Sequence, residues 1–277
     1  MKLNKFRPSH LAVYLILILA AFISIFPFYF MFVSGTNSNA EILQLPPSLS
    51  VGTHLMENFA MMMTRIDLWR VTFNSFVVAI SFTILAVIFY SMAGYALAKF
   101  AFKGKKTMFM LVMLTMMLPA QVTYIPRYIL ATKLGWVDDY TAVILPPLAN
   151  AFGIFLMRQN LYAIPDALLE AARLDGCSEM RIFWRVVMPN MKPAISALGI
   201  YMFMNSWNNF LWPLITLNST SMQTWQLALS VLNGAKWEKQ YGVIMLAAGC
   251  ATLPILLIFL FFQKHFVAGV MGSSIKE

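Results

Sequence analysis

Charged residues are scarce in this sequence, and their scarcity decides which solvent the chain meets. Asp, Glu, Lys and Arg make up 11% of the 277 residues, 60% are hydrophobic, and the mean hydropathy is +0.71. A soluble globular domain carries roughly 25% charged and 45–50% apolar residues. The composition therefore excludes an ordinary soluble protein and predicts an all-α integral membrane protein.

Other absences exclude most catalytic chemistry. The two cysteines, Cys177 and Cys250, and three scattered histidines lack the spacing of a disulfide framework or a metal site. The nearest approach to a phosphate-binding loop is Gly104-Lys105, but the glycine required five residues earlier is Lys99. Paired carboxylates and an HExxH sequence are also absent from the apolar stretches. The sequence thus predicts that this chain is neither an ATPase nor a membrane-embedded enzyme.

Stretches without charge define six predicted membrane spans. Each can hold a helix of about 20 residues, the length that crosses a bilayer. No charged residue lies deep in any of them, which disfavours a secondary transporter because ion relays need such groups. We predict one transmembrane domain over residues 1–277, with spans at about 11–33, 71–97, 107–126, 140–157, 194–217 and 242–262.

The basic residues predict the orientation of these spans. In a six-span arrangement, fourteen of the twenty lysines and arginines fall on the side that holds both termini. An excess of Lys and Arg marks the cytoplasmic side, so we expect both termini in the cytoplasm. The net charge of +9 needs no nucleic acid, because topology and the anionic inner leaflet account for it.

A predicted cytoplasmic loop over residues 158–193 interrupts the apolar sequence with charges, one glycine and three prolines. Its local chemistry predicts two short helices. The first runs from Asp166 to Asp175 and ends at Gly176, which suits a left-handed C-terminal position. The second begins after Ser178, runs through Val187 and is stopped by Pro189 and Pro193. An ordinary loop on the lipid headgroups is the alternative interpretation.

The first helix has the composition of a docking surface. Isolated helices below roughly 12 residues are marginal in water, so this helix must lean on something. Ala171 and Ala172 permit close approach of another backbone, while Glu170 and Asp175 offer ion pairs around that contact.

The same residues resemble the EAA loop of ABC importer permeases. Glu170-Ala171-Ala172, Asp175-Gly176 and the Val186–Pro189 stretch recur at the spacing of that motif. Further segments, including "GYALAKFAFKGKK", "MMLPAQVTYIP" and "SWNNFLWPLITL", resemble the carbohydrate-importer branch, in particular the smaller permease of the maltose-permease type. The likeness covers nearly the whole chain.

The resemblance implies a fold and a set of partners. The fold would be a bundle of six helices with the MetI-like core of ABC importer permeases. The loop would form a coupling helix, with Glu170, Ala171, Ala172, Asp175, Gly176 and Pro189 docked to an ATPase. The partners would be a homologous larger permease, two ATPase subunits that bind ATP and magnesium, an extracellular or periplasmic substrate-binding protein, and the lipid of a bacterial or archaeal cytoplasmic membrane. This chain itself would bind no cofactor.

Two further groups of residues are candidate contacts. Asn205, Asn208 and Asn209 lie in the fifth predicted span, where amides either bond between helices or line a path for sugar hydroxyls. Trp225 and Trp237 lie in the following external loop. They either form an aromatic belt at the membrane surface or contact the substrate-binding protein.

The predicted function is ATP-driven import of a sugar or oligosaccharide, with the membrane-spanning subunit supplied by this chain. Import of a glycerol phosphate-type or polyol substrate by the same machinery stays open. A self-contained facilitator without an ATPase is the alternative from another functional class.

Overall fold

The computed structural model describes residues 8–234 and 238–271. Within these residues the chain is helical and no strand is present. The fifteen α-helices are α1 (Pro8–Ser34), α2 (Asn39–Leu43), α3 (Leu55–Arg65), α4 (Leu68–Lys99), α5 (Lys105–Thr115), α6 (Tyr124–Lys133), α7 (Tyr140–Ile144), α8 (Ala151–Leu161), α9 (Asp166–Leu174), α10 (Glu179–Ile182), α11 (Met188–Asn190), α12 (Lys192–Trp207), α13 (Leu211–Thr216), α14 (Trp225–Asn233) and α15 (Tyr241–Met271).

Three helices of the described chain are long and apolar enough to cross a membrane: Val13–Ser34, Leu68–Lys99 and Tyr241–Phe261. Two bent pairs raise the number to five if each pair forms one span. The first pair joins Lys105–Thr115 to Ala120–Lys133 at 103°, and the second joins Tyr140–Leu148 to Ala151–Leu161 at 50°. The six-span topology therefore stays a prediction.

The fifth predicted span, 194–217, is a broken helix in the structure. α12 ends at Trp207 after 16 residues, and α13 adds only six residues beginning at Leu211. Asn209 lies at the break, where its side-chain oxygen accepts a hydrogen bond from the N–H of Trp212 at 3.4 Å. Pro213, in the first turn of α13, has no N–H to continue the ladder from α12.

The chain divides into two compact units. The first contains the described residues up to Asp67 together with Ala228–Pro254. Its polar centre is Asn58, which is buried and donates from Nδ2 to the carbonyls of Gly35 (3.1 Å) and Asn37 (3.0 Å). Gly242 packs against the same amide, and a Cβ there would lie 2.5 Å from the Asn37 carbonyl oxygen. Hydrogen-bonded amides thus hold the loop after α1 against the start of α15.

The second unit contains Leu68–Leu227 and the end of α15. Here α4 packs along both α8 and α12. The contact between α4 and α8 requires glycine twice: a Cβ on Gly94 would lie 2.8 Å from the backbone nitrogen of Arg158, and a Cβ on Gly153 would overlap the Tyr90 ring. Close backbone approach of this kind is typical of helix packing in membranes. These packed helices support the charged loop and position the residues that line the polar cavity.

Candidate functional site

The first helix of the charged loop ends as its sequence predicts. α9 spans Asp166–Leu174, and Gly176 has a φ of +74°, the left-handed conformation that favours glycine. The Gly176 N–H donates to the Arg173 carbonyl at 3.0 Å, and the Cys177 N–H donates to the Ala172 carbonyl at 3.1 Å. This pair of bonds is a Schellman motif, which fixes the angle at which α9 meets the next helix.

α9 has one inner and one outer face. Leu169 is buried, whereas Glu170, Ala171 and Asp175 are exposed. Leu174 is 89% exposed, an unusual position for leucine next to the helix end. The outer face is therefore an apolar tip flanked by two carboxylates. Leu174 was not among the residues predicted to dock. Its position between Arg173 and Asp175 in a short amphipathic helix could have indicated that it is exposed.

Charged contacts anchor the start of α9 to the end of α4. The Lys99 ammonium, on a side chain only 5% exposed, donates to Asp166 Oδ1 at 2.7 Å and to the Ile164 carbonyl at 2.6 Å. The hydrogen bond from Lys99 lowers the pKa of the Asp166 carboxyl. A buried ammonium needs such compensation, so this contact fixes where the helix begins.

A second anchor holds the corner between α9 and α10. Arg173 Nε donates to Glu179 Oε1 at 2.6 Å, and the Tyr95 hydroxyl donates to Glu179 Oε2 at 3.0 Å. Arg173, and to a lesser extent Tyr95, lower the pKa of Glu179 by these hydrogen bonds, against a smaller opposing effect of burial. Because Tyr95 belongs to α4, the corner is tied to the membrane-spanning frame.

The ion pairs within the described chain involve other carboxylates than the two predicted to pair at the docking contact. Glu170 and Asp175 are not paired within the described residues. Asp166 and Glu179 form the observed pairs instead. Glu170 and Asp175 are exposed, and their ion pairs with a partner stay a prediction.

Pro189 does not stop the second helix of the loop. α10 continues through a π-helical turn, Phe183–Val187, into α11, which contains Pro189 and ends at Asn190. The wider turn leaves room for the proline ring, which would clash with the preceding carbonyl in a regular α-helix. The chain then turns at Met191 into α12.

The three predicted asparagines share one cavity. Asn205, Asn208 and Asn209 line a space of about 660 Å³ in the second unit, together with Asn150 and Arg127. Within the described chain, Asn205 and Asn208 make no side-chain hydrogen bond to another helix. The interhelical bonding considered for them is therefore not observed, and their amides face the cavity.

The sequence predicts that Arg127 follows the third span on the external side, and the structure adds that its side chain lines a cavity. The predicted span 107–126 bends by 103°, and Arg127 lies in α6, the second arm of the bend, where it is half-buried. It lines both the asparagine cavity and a neighbouring cavity of about 750 Å³. A charge inside this region was not expected.

The loop after α13 is ordered by one acidic residue. Asp138 accepts hydrogen bonds on Oδ1 from the backbone N–H groups of Asn218 (2.8 Å) and Ser219 (3.0 Å). These bonds, chiefly the one from Ser219, lower the pKa of the Asp138 carboxyl. Its positive φ of 64° brings the carboxylate to this position.

Trp225, one of the two tryptophans predicted to contact a binding protein, is not exposed as that contact requires. Trp225 is only 2% exposed, and its backbone N–H donates to Ser75 Oγ at 2.8 Å. A buried indole stabilises the fold and offers no surface to a partner, so this expectation is corrected. Trp237 lies outside the described residues. Among the described residues, no group of three or more His, Cys, Asp or Glu side chains could hold a metal ion.

Comparison with known proteins assigns this arrangement to one family. A family model described as binding-protein-dependent transport system inner membrane component matches residues 90–272. Among the most similar relatives, the arabinooligosaccharides transport permease AraQ of Bacillus subtilis (strain 168) is 35% identical and covers 98% of both chains. The lactose transport permease LacG of Rhizobium radiobacter is 37% identical over 94% of both chains.

Two further matches extend this picture. The sn-glycerol-3-phosphate transport permease UgpE of Brucella abortus (strain 2308) is 33% identical over 97% of this chain and 98% of the relative. A chain in the crystal structure of a bacterial ABC transporter that imports the acidic polysaccharide alginate superposes with a TM-score of 0.82. It is 21% identical and covers 96% of this chain and 99% of that one, so it shows the shared fold.

Proposed function

The chain belongs to the family of binding-protein-dependent transport system inner membrane components, and we propose that it is the membrane-spanning half of an ATP-driven importer for a sugar-type substrate. Its relatives transport arabinooligosaccharides, lactose and sn-glycerol-3-phosphate. The proposal includes six spans with both termini in the cytoplasm and a heterodimer with a homologous, larger permease. Two ATPase subunits supply ATP hydrolysis, and an external binding protein delivers the substrate.

The observation that carries the proposal is the outer face of α9. Leu174 is 89% exposed at the end of a short helix that is anchored to α4 by Lys99 and to α10 by the Arg173–Glu179 ion pair. Exposed apolar residues rimmed by charge mark protein interaction sites. Ala171 beside it allows close approach, and Glu170 and Asp175 are available for cations on the partner. We propose that this face docks into the ATPase subunit.

The anchors explain how motion would pass from the ATPase to the membrane. A docked helix transmits force only if its joint to the spans is stiff. The Lys99–Asp166 contact ties the start of α9 to α4, and Glu179 links Arg173 near its end to Tyr95 of α4. The Schellman motif fixes the corner at Gly176. Movement of the docked face would then tilt α4 together with α8 and α12, which pack against it.

Because Trp225 is buried, a different external surface is proposed to contact the binding protein. The polar stretch from Asn218 to Gln223 is held by Asp138 and by Asn74, whose Nδ2 donates to the carbonyls of Ser221 and Gln223 at 2.9 Å. We propose that this ordered loop contacts the binding protein, while Trp225 anchors it from beneath. A facilitator without ATPase would need neither the binding-protein loop nor the exposed face of α9.

The coupling proposal is tested by one substitution on the exposed tip. The complete complex is reconstituted in proteoliposomes, with arabinotriose and sn-glycerol-3-phosphate as transport probes and ATP on the ATPase side. We expect Leu174→Asp to abolish ATP-dependent uptake, because a carboxylate replaces the apolar contact, whereas Leu174→Met retains it. Equal uptake by wild type and Leu174→Asp would contradict the coupling role. Uptake independent of ATP would favour the facilitator.

A further inference from the structure

The cavity beside the broken fifth span contains one fixed charge that the coupling function does not use. Arg127 and Asn150 line both the 660 Å³ cavity and the 750 Å³ cavity, so they lie where the two spaces meet. Every other side chain that lines either cavity is uncharged. The combined space therefore has a positive character that comes from one guanidinium group.

Within the described chain, Arg127 is not compensated by an acid. The ion pairs there are His54–Glu41, Lys99–Asp166 and Arg173–Glu179, and none involves Arg127. No hydrogen bond from its guanidinium is present among the described residues either. A half-buried guanidinium is costly to leave without an acceptor.

The surrounding groups favour a particular kind of occupant. Asn205, Asn208 and Asn209 offer amide donors and acceptors suited to hydroxyl groups. The Tyr90 hydroxyl, which interacts electrostatically with Arg127, is buried and has no hydrogen-bond partner among the described residues. A guanidinium presents a planar set of donors that matches a carboxylate or a phosphate.

Resting on the proposed function, we infer that Arg127 is a specificity-determining residue that binds an anionic group on a hydroxylated substrate. That group is a carboxylate or a phosphate, which present similar oxygen acceptors to a guanidinium. The asparagines contact the hydroxyls of the same molecule. The transported substrate is therefore a sugar acid or a polyol phosphate rather than a neutral sugar.

Direct binding to the permease complex tests this inference without transport. The complete complex, solubilised with an ATPase that binds but does not hydrolyse ATP, is titrated with trigalacturonate, sn-glycerol-3-phosphate and neutral arabinotriose. We expect one anionic probe to bind at least about tenfold more tightly than arabinotriose, and Arg127→Gln to remove this preference. The identity of the preferred probe distinguishes a carboxylate from a phosphate.

Two variants serve as controls. Arg127→Lys keeps the charge but loses the planar donor set, so we expect it to retain only part of the preference for the anionic probe. Lys133→Gln removes a charge from the exposed side of the same helix, outside both cavities, and leaves binding unchanged.

Three binding results would overturn the inference. They are tightest binding of arabinotriose, no detectable binding of either anionic probe, and equal binding by wild type and Arg127→Gln. Dissociation of the two permease subunits in Arg127→Gln would also overturn it, because Arg127 would then pair with an acid on the partner. The proposed function is judged separately: ATP-dependent uptake of arabinotriose would preserve it while the anion inference fails.

Discussion

The charged loop and the polar cavity differ in whether their polar side chains have hydrogen-bond partners within the chain. In the loop, Lys99, Tyr95 and Arg173 each find an acceptor within the chain, and an apolar residue, Leu174, remains exposed. In the cavity, Arg127 has no such acceptor among the described residues. On the proposed function, the internally bonded loop transmits movement from the ATPase, whereas the unpaired donors of the cavity bind substrate. The comparison therefore predicts different consequences for substitutions in the two regions.

The largest effect is expected from a substitution at Gly176, in the turn between α9 and α10. Gly176→Pro removes the N–H that bonds to Arg173 and imposes a negative φ where the structure has +74°. We expect the protein to insert normally and to lose ATP-dependent uptake by about 100-fold or more, equivalent to about 2.7 kcal/mol. Initial uptake rates in proteoliposomes measure this loss.

The matched control at this position is Gly176→Asn. Asparagine tolerates the left-handed conformation better than other side chains, and no atom lies within 4 Å of a Cβ at this position. We expect it to keep most of the uptake. If Gly176→Pro transported as well as Gly176→Asn, the corner would have no mechanical role.

A smaller effect is expected where α9 joins α4. Lys99→Met keeps the apolar stem but removes the donor to Asp166 and to the Ile164 carbonyl, so the start of α9 loosens. We expect uptake to fall by about tenfold while ATP hydrolysis continues, so that hydrolysis is uncoupled from transport. This magnitude follows because a buried charge-assisted hydrogen bond contributes about 1.5 kcal/mol. The ratio of transported substrate to hydrolysed ATP measures it.

The control for this anchor is Lys103→Met. Lys103 lies on the exposed turn after α4 and forms no ion pair with a described residue. Its replacement should leave the coupling ratio at the wild-type value. The same drop in both variants would attribute the effect to net charge rather than to the anchor.

The smallest effect concerns the pH dependence of the second anchor. The native pKa of Glu179 is below its ordinary value of 4.5, so its ion pair contributes stability above that value and loses it as pH falls through the lowered pKa. Because both side chains are partly exposed, we expect Glu179→Gln to cost only about 0.5 kcal/mol at pH 7.

Thermal unfolding of the purified complex at several pH values measures this contribution. The difference between wild type and Glu179→Gln should be full at pH 7 and disappear below the lowered pKa of Glu179. A difference that grows as pH falls would contradict the assignment of Glu179 as the charged partner of Arg173.

The loop shows how much local chemistry alone can predict. The end of α9 at Gly176 followed from the sequence, because a left-handed position and its hydrogen bonds involve only neighbouring residues. The continuation of the second helix past Pro189 was not predicted, since it depends on a π-turn. The partners of Asp166 and Glu179 were missed, because Lys99 and Tyr95 lie far away in the sequence on α4.

The cavity shows where local chemistry fails. The asparagines were identified by type, but their place in one cavity depends on the break between α12 and α13. The cavity position of Arg127 was not predicted, because charge counting treats each span as straight and the 103° bend after α5 is a tertiary feature. Trp225 was misplaced for a similar reason: an indole in a loop gives no local sign of burial.

The most direct test of the central claim asks what touches Leu174. A photo-crosslinking residue is introduced as Leu174→benzoylphenylalanine in the complete complex in membranes, and a second variant carries it at Met117, which is 79% exposed between α5 and α6. We predict that position 174 forms an adduct with the ATPase subunit and that position 117 does not. An adduct of position 174 with the external binding protein, or no ATPase adduct at all, would contradict the account.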